Sequence, residues 1–256
     1  MTQFPQTLPE MLPLIPFFVT LLLGIAWFLA PGALFRHLRI EPVERHPEAT
    51  GEGRSSFAGF PIVFGAMGIA GTDPILQFVS AAAWAAASAG KLLHVVLDGN
   101  RRVSVMVRLF IAIVLAAAGF TLAEVPQLRF VFPQTLEGIL PAVSAAVTAA
   151  YGLLALLAPR AALSVMRLKP VGEMGPAAGE ARGTLAGFYL AAAFLVLATG
   201  SFPTILLLGL CWLMTAFGRM IAMLSDNGNN LFNWLALIQE LVLAGLPLAV
   251  VFGLAG

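Results

Sequence analysis

Phe132-Pro133-Gln134-Thr135-Leu136 repeats Phe4-Pro5-Gln6-Thr7-Leu8 at a spacing of 128 residues, half the length of the 256-residue chain. The same shift carries Ala30-Pro31 onto Ala158-Pro159, Pro42-Val43 onto Pro170-Val171, and Gly51-Glu52-Gly53-Arg54 onto Gly179-Glu180-Ala181-Arg182. It also carries Ala58-Gly59-Phe60 onto Ala186-Gly187-Phe188, Trp84 onto Trp212, Gly90-Lys91 onto Gly218-Arg219 and Asp98 onto Asp226. Apolar letters recur by chance in an apolar chain, whereas matched Pro, Trp, Glu, Arg and Asp do not. The chain reads as a tandem duplication, one four-helix unit over 1–128 and a second over 129–256, and a repeat of this kind has to be fixed before a fold is assigned.

The composition sets the class. Hydrophobic residues make up 59% of the chain and charged ones 11%, against roughly 45–50% and roughly 25% in soluble domains. That excludes a cytosolic enzyme, a disordered regulator and a disulfide scaffold, and points to an all-α multi-pass membrane protein. The net charge of +1 offers nothing to nucleic acid. The single cysteine, Cys211, has no disulfide partner, and no Cys/His ligand spacing is present, so neither a metal nor a cofactor is expected. No Lys or Arg precedes the first apolar run, which therefore reads as a retained span and not a signal peptide.

Each unit holds four apolar runs: Leu12–Leu29, Phe57–Ala70, Ile75–Leu97 and Val103–Leu122 in the first, and Ile139–Leu157, Leu185–Ala198, Thr204–Leu224 and Leu231–Phe252 in the second. Eight transmembrane helices are expected, the second of each unit short against the ~20 residues a span needs. Four spans per unit is an even number, so both units enter the membrane in the same direction, related by a pseudo-twofold axis along the membrane normal. Of the 14 Lys and Arg residues, all but Arg129 fall on the loops and span ends that follow the first and third runs. By the positive-inside rule those loops, Pro31–Ser56 and Pro159–Thr184 among them, are cytoplasmic and both termini are not. The segments Phe4–Pro13 and Phe132–Pro141 read as interfacial approaches on the far side.

The pattern Glu-x-Arg ahead of an Ala-Gly-Phe helix start, with Gly-Arg/Lys and then Asp near the end of the next helix, resembles an uncharacterised bacterial four-helix membrane domain, domain-of-unknown-function family 4345. The second unit matches it through Glu180, Arg182, Gly187, Gly218, Arg219, Asp226 and Glu240; the first departs from it with Lys91 for Arg219 and Ala112 for Glu240. The resemblance implies a bacterial inner-membrane location and carries no activity.

Ionisable groups inside a membrane are functional candidates by default because burying them is costly. Glu240, nine residues into the last run, is at mid-depth, and Arg219 is its expected partner, with Arg182 and Gln239 behind it. One candidate site is therefore the intramembrane polar set Glu240, Arg219, Asp226, Arg182 and Glu180, read either as a structural ion pair or as a binding and proton-handling site. The first unit lacks the acid, and its cations Lys91, Arg54, Arg108 and Arg101, set against Asp98 and Glu52, read as an anion or lipid-headgroup site. His94 and Asp98 share a helix face, but Ala222 replaces the histidine in the second unit. Asp98-Gly99-Asn100-Arg101-Arg102 resembles the start of a membrane phosphotransferase signature without the further aspartates that hold its metal ions. No nucleophile elbow, phosphate loop or Ser/His/Asp set appears, so no enzyme is expected. The expected function is a membrane scaffold or accessory protein that binds lipid or a partner, either another protein or a second copy of the chain. The competing expectation is a small carrier for an anionic or proton-coupled substrate, with its site between the repeats.

Overall fold

The computed structural model describes residues 7, 11–44, 46–71, 73–121, 123–130, 132–172, 175–226 and 228–255. The Phe4–Pro13 approach and Arg45 therefore lie largely or wholly outside the described residues. The helices are α1 (Leu14–Leu29), α2 (Pro31–Leu38), α3 (Gly59–Ala70), α4 (Pro74–Leu97), α5 (Val103–Phe120), α6 (Leu136–Leu157), α7 (Pro159–Val165), α8 (Pro176–Thr199), α9 (Phe202–Ser225) and α10 (Leu231–Val251). Six of them, α4, α5, α6, α8, α9 and α10, are long and apolar enough to cross a membrane. A seventh span is obtained if α1 and α2 are taken together, although they meet at 104°. α3, at 12 residues, is shorter than a span. The chain is an all-α protein of membrane type. Among the described residues its sole sheet is a two-stranded ribbon of β1 (Ile40–Pro42) and β2 (Leu168–Pro170).

Local chemistry explains the element ends. Ala30 and Ala158 each precede a proline, whose ring disfavours helical geometry in the residue before it. Both leave the helical region in the same way, with φ/ψ of −133°/54° and −129°/64°, and both prolines then open short helices. Arg39 and Arg167 close those short stretches at φ 54° and 56°, the only non-glycine residues with positive φ among those described. Asp73 caps α4 by accepting from the Ile75 N–H at 3.0 Å, and Asn230 caps α10 by accepting from Asn233.

The segments read as loops are built structure. Pro31–Ser56 contains α2, β1 and a 3₁₀ helix (Pro47–Gly53), and Pro159–Thr184 contains α7, β2 and the first turns of α8. Glu52, Glu180 and Arg182 are consequently buried and not solvated. The two stretches differ because Gly53 stands where α8 has Ala181 and Pro61 where it has Tyr189. Glycine costs about 1 kcal/mol in a helix, and proline removes a donor to the preceding turn. α8 therefore runs 24 residues through a π-helical turn at Ala181–Leu185, while the first unit breaks into a 3₁₀ helix and then α3.

Contacts recur in pairs 128 residues apart. Trp84 Nε1 donates to Thr20 Oγ1 at 2.9 Å, and Trp212 Nε1 to Thr148 Oγ1 at 2.8 Å. In the ribbon Glu41 lies opposite Lys169, its own counterpart. The flanking bonds Val43 N–H to Arg167 O and Val171 N–H to Arg39 O are both 2.8 Å. The halves interlock: α3 packs mainly on α1 and on α9 of the other half, and α8 mainly on α6 and on α4 of the other half. Gly90 and Gly218 sit at these crossings. A methyl group on Gly90 would overlap the Arg182 carbonyl, and one on Gly218 the Arg54 carbonyl. That close approach explains why glycine precedes the cation in both units.

Candidate functional site

The interlocking crosses the charges between halves. Arg219 on α9 meets Glu52 of the first half, through Nη1 to Oε1 at 2.8 Å and Nη2 to Oε2 at 3.1 Å. Its Nε and Nη2 donate to Glu240 Oε1 on α10 at 2.8 and 2.7 Å, and Nη1 also reaches Asn233 Oδ1 at 3.0 Å. Those contacts use all five N–H donors of the guanidinium. Glu52 is held further by Ser56 Oγ at 2.7 Å and Ser55 Oγ at 3.3 Å. Arg219, Glu52 and Glu240 are each 5% exposed or less. At the edge of this cluster Arg54 Nε pairs with Asp226 Oδ2 at 2.9 Å, and its Nη1 donates to the Phe28 carbonyl.

The counterpart cluster is built from the equivalent positions with the halves exchanged. Lys91 Nζ donates to Glu180 Oε2 at 2.9 Å and to Thr184 Oγ1 at 3.1 Å. Arg182 Nη2 is 3.5 Å from Asp98 Oδ1, and His94 Nδ1 is 2.7 Å from Asp98 Oδ2. Arg108 lies beside Lys91 and Glu180, around a void of about 10 Å³.

Two groupings expected from the sequence are corrected. Glu240 and Arg219 do form one buried pair, but Glu180 and Arg182 belong with Lys91 and Asp98 in the other cluster, and Asp226 pairs with Arg54 instead of Arg219. Conversely, Arg54 leaves the Lys91 group for Asp226. Arg101 is exposed on the connection between α4 and α5 and takes no part in the buried set. The cause is the crossing of α3 and α8 into the opposite half, which carries each Glu-x-Arg motif away from its own unit's cation. The repeat shows that an acid and a cation are matched in each unit. It does not reveal that the match is made across units.

A cavity of about 220 Å³ lies against Arg219, Glu52 and Glu240. Tyr151, Tyr189, Trp212 and Phe232 line it along with Leu154, Ala155, Ala162 and Met166. Tyr189 stacks on Phe60 at 4.1 Å and meets Trp212 edge-on at 5.6 Å, which fixes two of the aromatic walls. Gln239 Nε2 donates to the Tyr151 hydroxyl, and Arg167 covers one face of Phe232 at 4.0 Å. The exposed lining residues Val165, Leu235 and Gln239 put the mouth between α7 and α10. Glu240 Oε2 is buried and has no hydrogen-bond partner.

The counterpart cluster has no such space. Trp27 stands at the position of Ala155 and Phe57 at that of Leu185. Trp27 stacks on Phe57 at 4.7 Å and meets Phe35 edge-on at 5.3 Å, filling the equivalent volume. The cavity residues Tyr151, Tyr189 and Ser56, and Asn233 as a partner of Arg219, were not expected from the sequence. The one signal available was the alternation of small and large residues between matched positions, Ala155 against Trp27 above all. Among the described residues no three His, Cys, Asp or Glu side chains gather as metal ligands. Comparison with known proteins gives no matching family model, no matching curated protein and no matching solved structure.

Proposed function

We propose that this chain is a membrane-embedded binding protein whose ligand site is the cavity beside Glu240. The observation that carries the reading is the unpartnered Glu240 Oε2 beside a cavity of about 220 Å³ lined in part by Tyr151, Tyr189, Trp212 and Phe232. A buried carboxylate oxygen without a donor costs roughly 1–3 kcal/mol or more, and a ligand donor removes that cost. The volume lies between a benzene-binding cavity of ~150 Å³ and the ~300 Å³ at which most ligand pockets begin.

The proposed frame is an eight-span bacterial inner-membrane protein made of two parallel four-helix units, 1–128 and 129–256, with both termini non-cytoplasmic. The paired contacts at 128-residue spacing and the self-opposed Glu41–Lys169 ribbon support a pseudo-twofold relation between the units. α3 would be the short span, about 18 Å long by its rise per residue, covered by α1 and α9. The unit is taken to be of the kind found in domain-of-unknown-function family 4345. The reading is non-catalytic, with lipid, a protein partner or a second copy of the chain as further partners.

The test is native mass spectrometry of gently extracted protein. The wild type should retain a small bound species that Ala155→Trp, which copies the filled counterpart, does not. Identical spectra for the two proteins would contradict the proposal. A carrier is the second reading. It is favoured by one observation, that Glu52 and Ser56 of the first half complete a cavity otherwise walled by the second. Uptake into vesicles that disappears in Glu240→Gln would support it, and binding without flux would reject it.

A further inference from the structure

We infer that the cavity selects a small organic ammonium ion, admitted from the membrane side. This inference deepens the proposed binding role and rests on it.

The charge balance of the floor comes first. Glu52 and Glu240 face a single guanidinium, Arg219, whose five N–H groups are all engaged. Glu52 has both oxygens satisfied by Arg219 and the two serines. Glu240 Oε1 takes two bonds from Arg219, and its Oε2 takes none. With both carboxyl groups ionised, the cluster keeps one negative charge and one unfilled acceptor, both on Glu240. An anion would meet the Glu240 carboxylate and find no free donor on Arg219. A ligand bearing N–H⁺ supplies both the missing donor and the missing charge.

The walls match the rest of such a ligand. Tyr151, Trp212 and Phe232 surround the floor with ring faces and edges, and an ammonium group near aromatic rings is attracted by their quadrupoles. Leu154 and Met166 give the apolar body of the ligand a dry surface. The mouth is bordered by Val165 and Leu235, which are 53% and 59% exposed. Apolar residues at an opening suit entry from lipid, as expected for an amphiphilic amine.

The counterpart cluster sharpens the assignment. Its last helix carries Arg108 and Ala112 where α10 carries Ala236 and Glu240. The two clusters thus hold extra charges of opposite sign, and only the negative one has kept its space.

The experiment uses the whole chain in nanodiscs at neutral pH with three probes of one shape: benzylammonium, benzyl alcohol and benzoate. Binding is followed by titration calorimetry. Benzylammonium should bind at least about tenfold more tightly than benzyl alcohol, the equivalent of one charge-assisted hydrogen bond, and benzoate should not bind. Glu240→Gln should bring benzylammonium down to the level of benzyl alcohol. Ala155→Trp, which leaves the ion pairs untouched, should abolish both, so the assignment remains testable if Glu240→Gln fails to fold. Equal affinity for benzylammonium and benzyl alcohol, with both lost in Ala155→Trp, would overturn the ammonium assignment while leaving the binding role standing. Preferential binding of benzoate would overturn it too. No binding of any probe would overturn both.

Discussion

Arg219 and Glu52 lie 167 residues apart in the chain and share two hydrogen bonds, at 2.8 and 3.1 Å, in the buried centre of the protein. Arg219 belongs to the second half and Glu52 to the first, and Lys91 and Glu180 repeat the exchange at 2.9 Å. Each half thus completes the charge balance of the other.

Removing one member of a buried pair leaves an uncompensated charge and costs about 3–5 kcal/mol. Arg219→Leu, which strands both Glu52 and Glu240, should therefore lower the melting temperature in detergent most. Glu52→Gln leaves Arg219 balanced by Glu240 but gives up the charge-assisted bonds from Arg219 and the acceptor of Ser55 and Ser56, and should still lower it clearly. Glu240→Gln should lower it much less, since Arg219 keeps Glu52 and the lost acceptor was only half used. The triple variant Glu52→Leu, Glu240→Leu and Arg219→Leu, which removes every charge of the cluster, should recover most of the stability lost in Arg219→Leu alone. Equal losses for Glu52→Gln and Glu240→Gln would contradict this assignment of partners.

The crossed pairs also predict how the chain divides. Co-expressed segments 1–128 and 129–256 should assemble and co-purify, because Arg54–Asp226, Arg182–Asp98 and the ribbon all join the halves. Each segment alone should aggregate. Two segments that are separately monodisperse and do not associate would contradict the interlocked packing.

Glu48, on the 3₁₀ helix outside the long apolar helices, gives a pH dependence. Burial pulls its carboxyl up, but its own backbone N–H, His46 and Arg167 outweigh that and hold it below the ordinary value of 4.5. A folded-state pKa lower than the unfolded one contributes stability that is complete above the unfolded value and is lost as pH falls through the folded one. Melting temperature should hold as pH drops towards about 4.5 and decline below it. Glu48→Gln should weaken that decline. An unchanged profile in the variant would show that Glu48 is not its source.

The distribution of cations predicts the orientation. The sole native thiol, Cys211, is buried, so the wild type should label weakly with maleimide. Leu254→Cys should then react with a membrane-impermeant maleimide from the non-cytoplasmic face, as the positive-inside rule requires. Labelling only after the cytoplasmic face is opened would reverse the orientation.

Much of this could be read from the residues and some could not. The apolar runs located α4, α5, α6, α9 and α10 within a few residues, because long hydrophobic segments leave little choice of structure. The start of α8 was missed because Pro176–Glu180 is Pro-Ala-Ala-Gly-Glu, with no large apolar side chain to extend the hydrophobic run, although it packs against α4. The pair Arg219–Glu240 was legible because both lie in adjacent spans. Glu52 was not, because its segment reaches Arg219 only through tertiary crossing, which periodicity does not encode. The cavity was invisible for a related reason: an empty space is a property of neighbours. Ala155 acquires its meaning only beside Trp27, which fills the matching position.

The most direct test is an experimental map of the protein extracted in native lipid. The account predicts density in the cavity between Tyr151, Trp212 and Glu240, with an atom about 2.7–3.2 Å from Glu240 Oε2, and no such density in Ala155→Trp. A closed cavity in which Glu240 Oε2 is satisfied by a protein donor would contradict it.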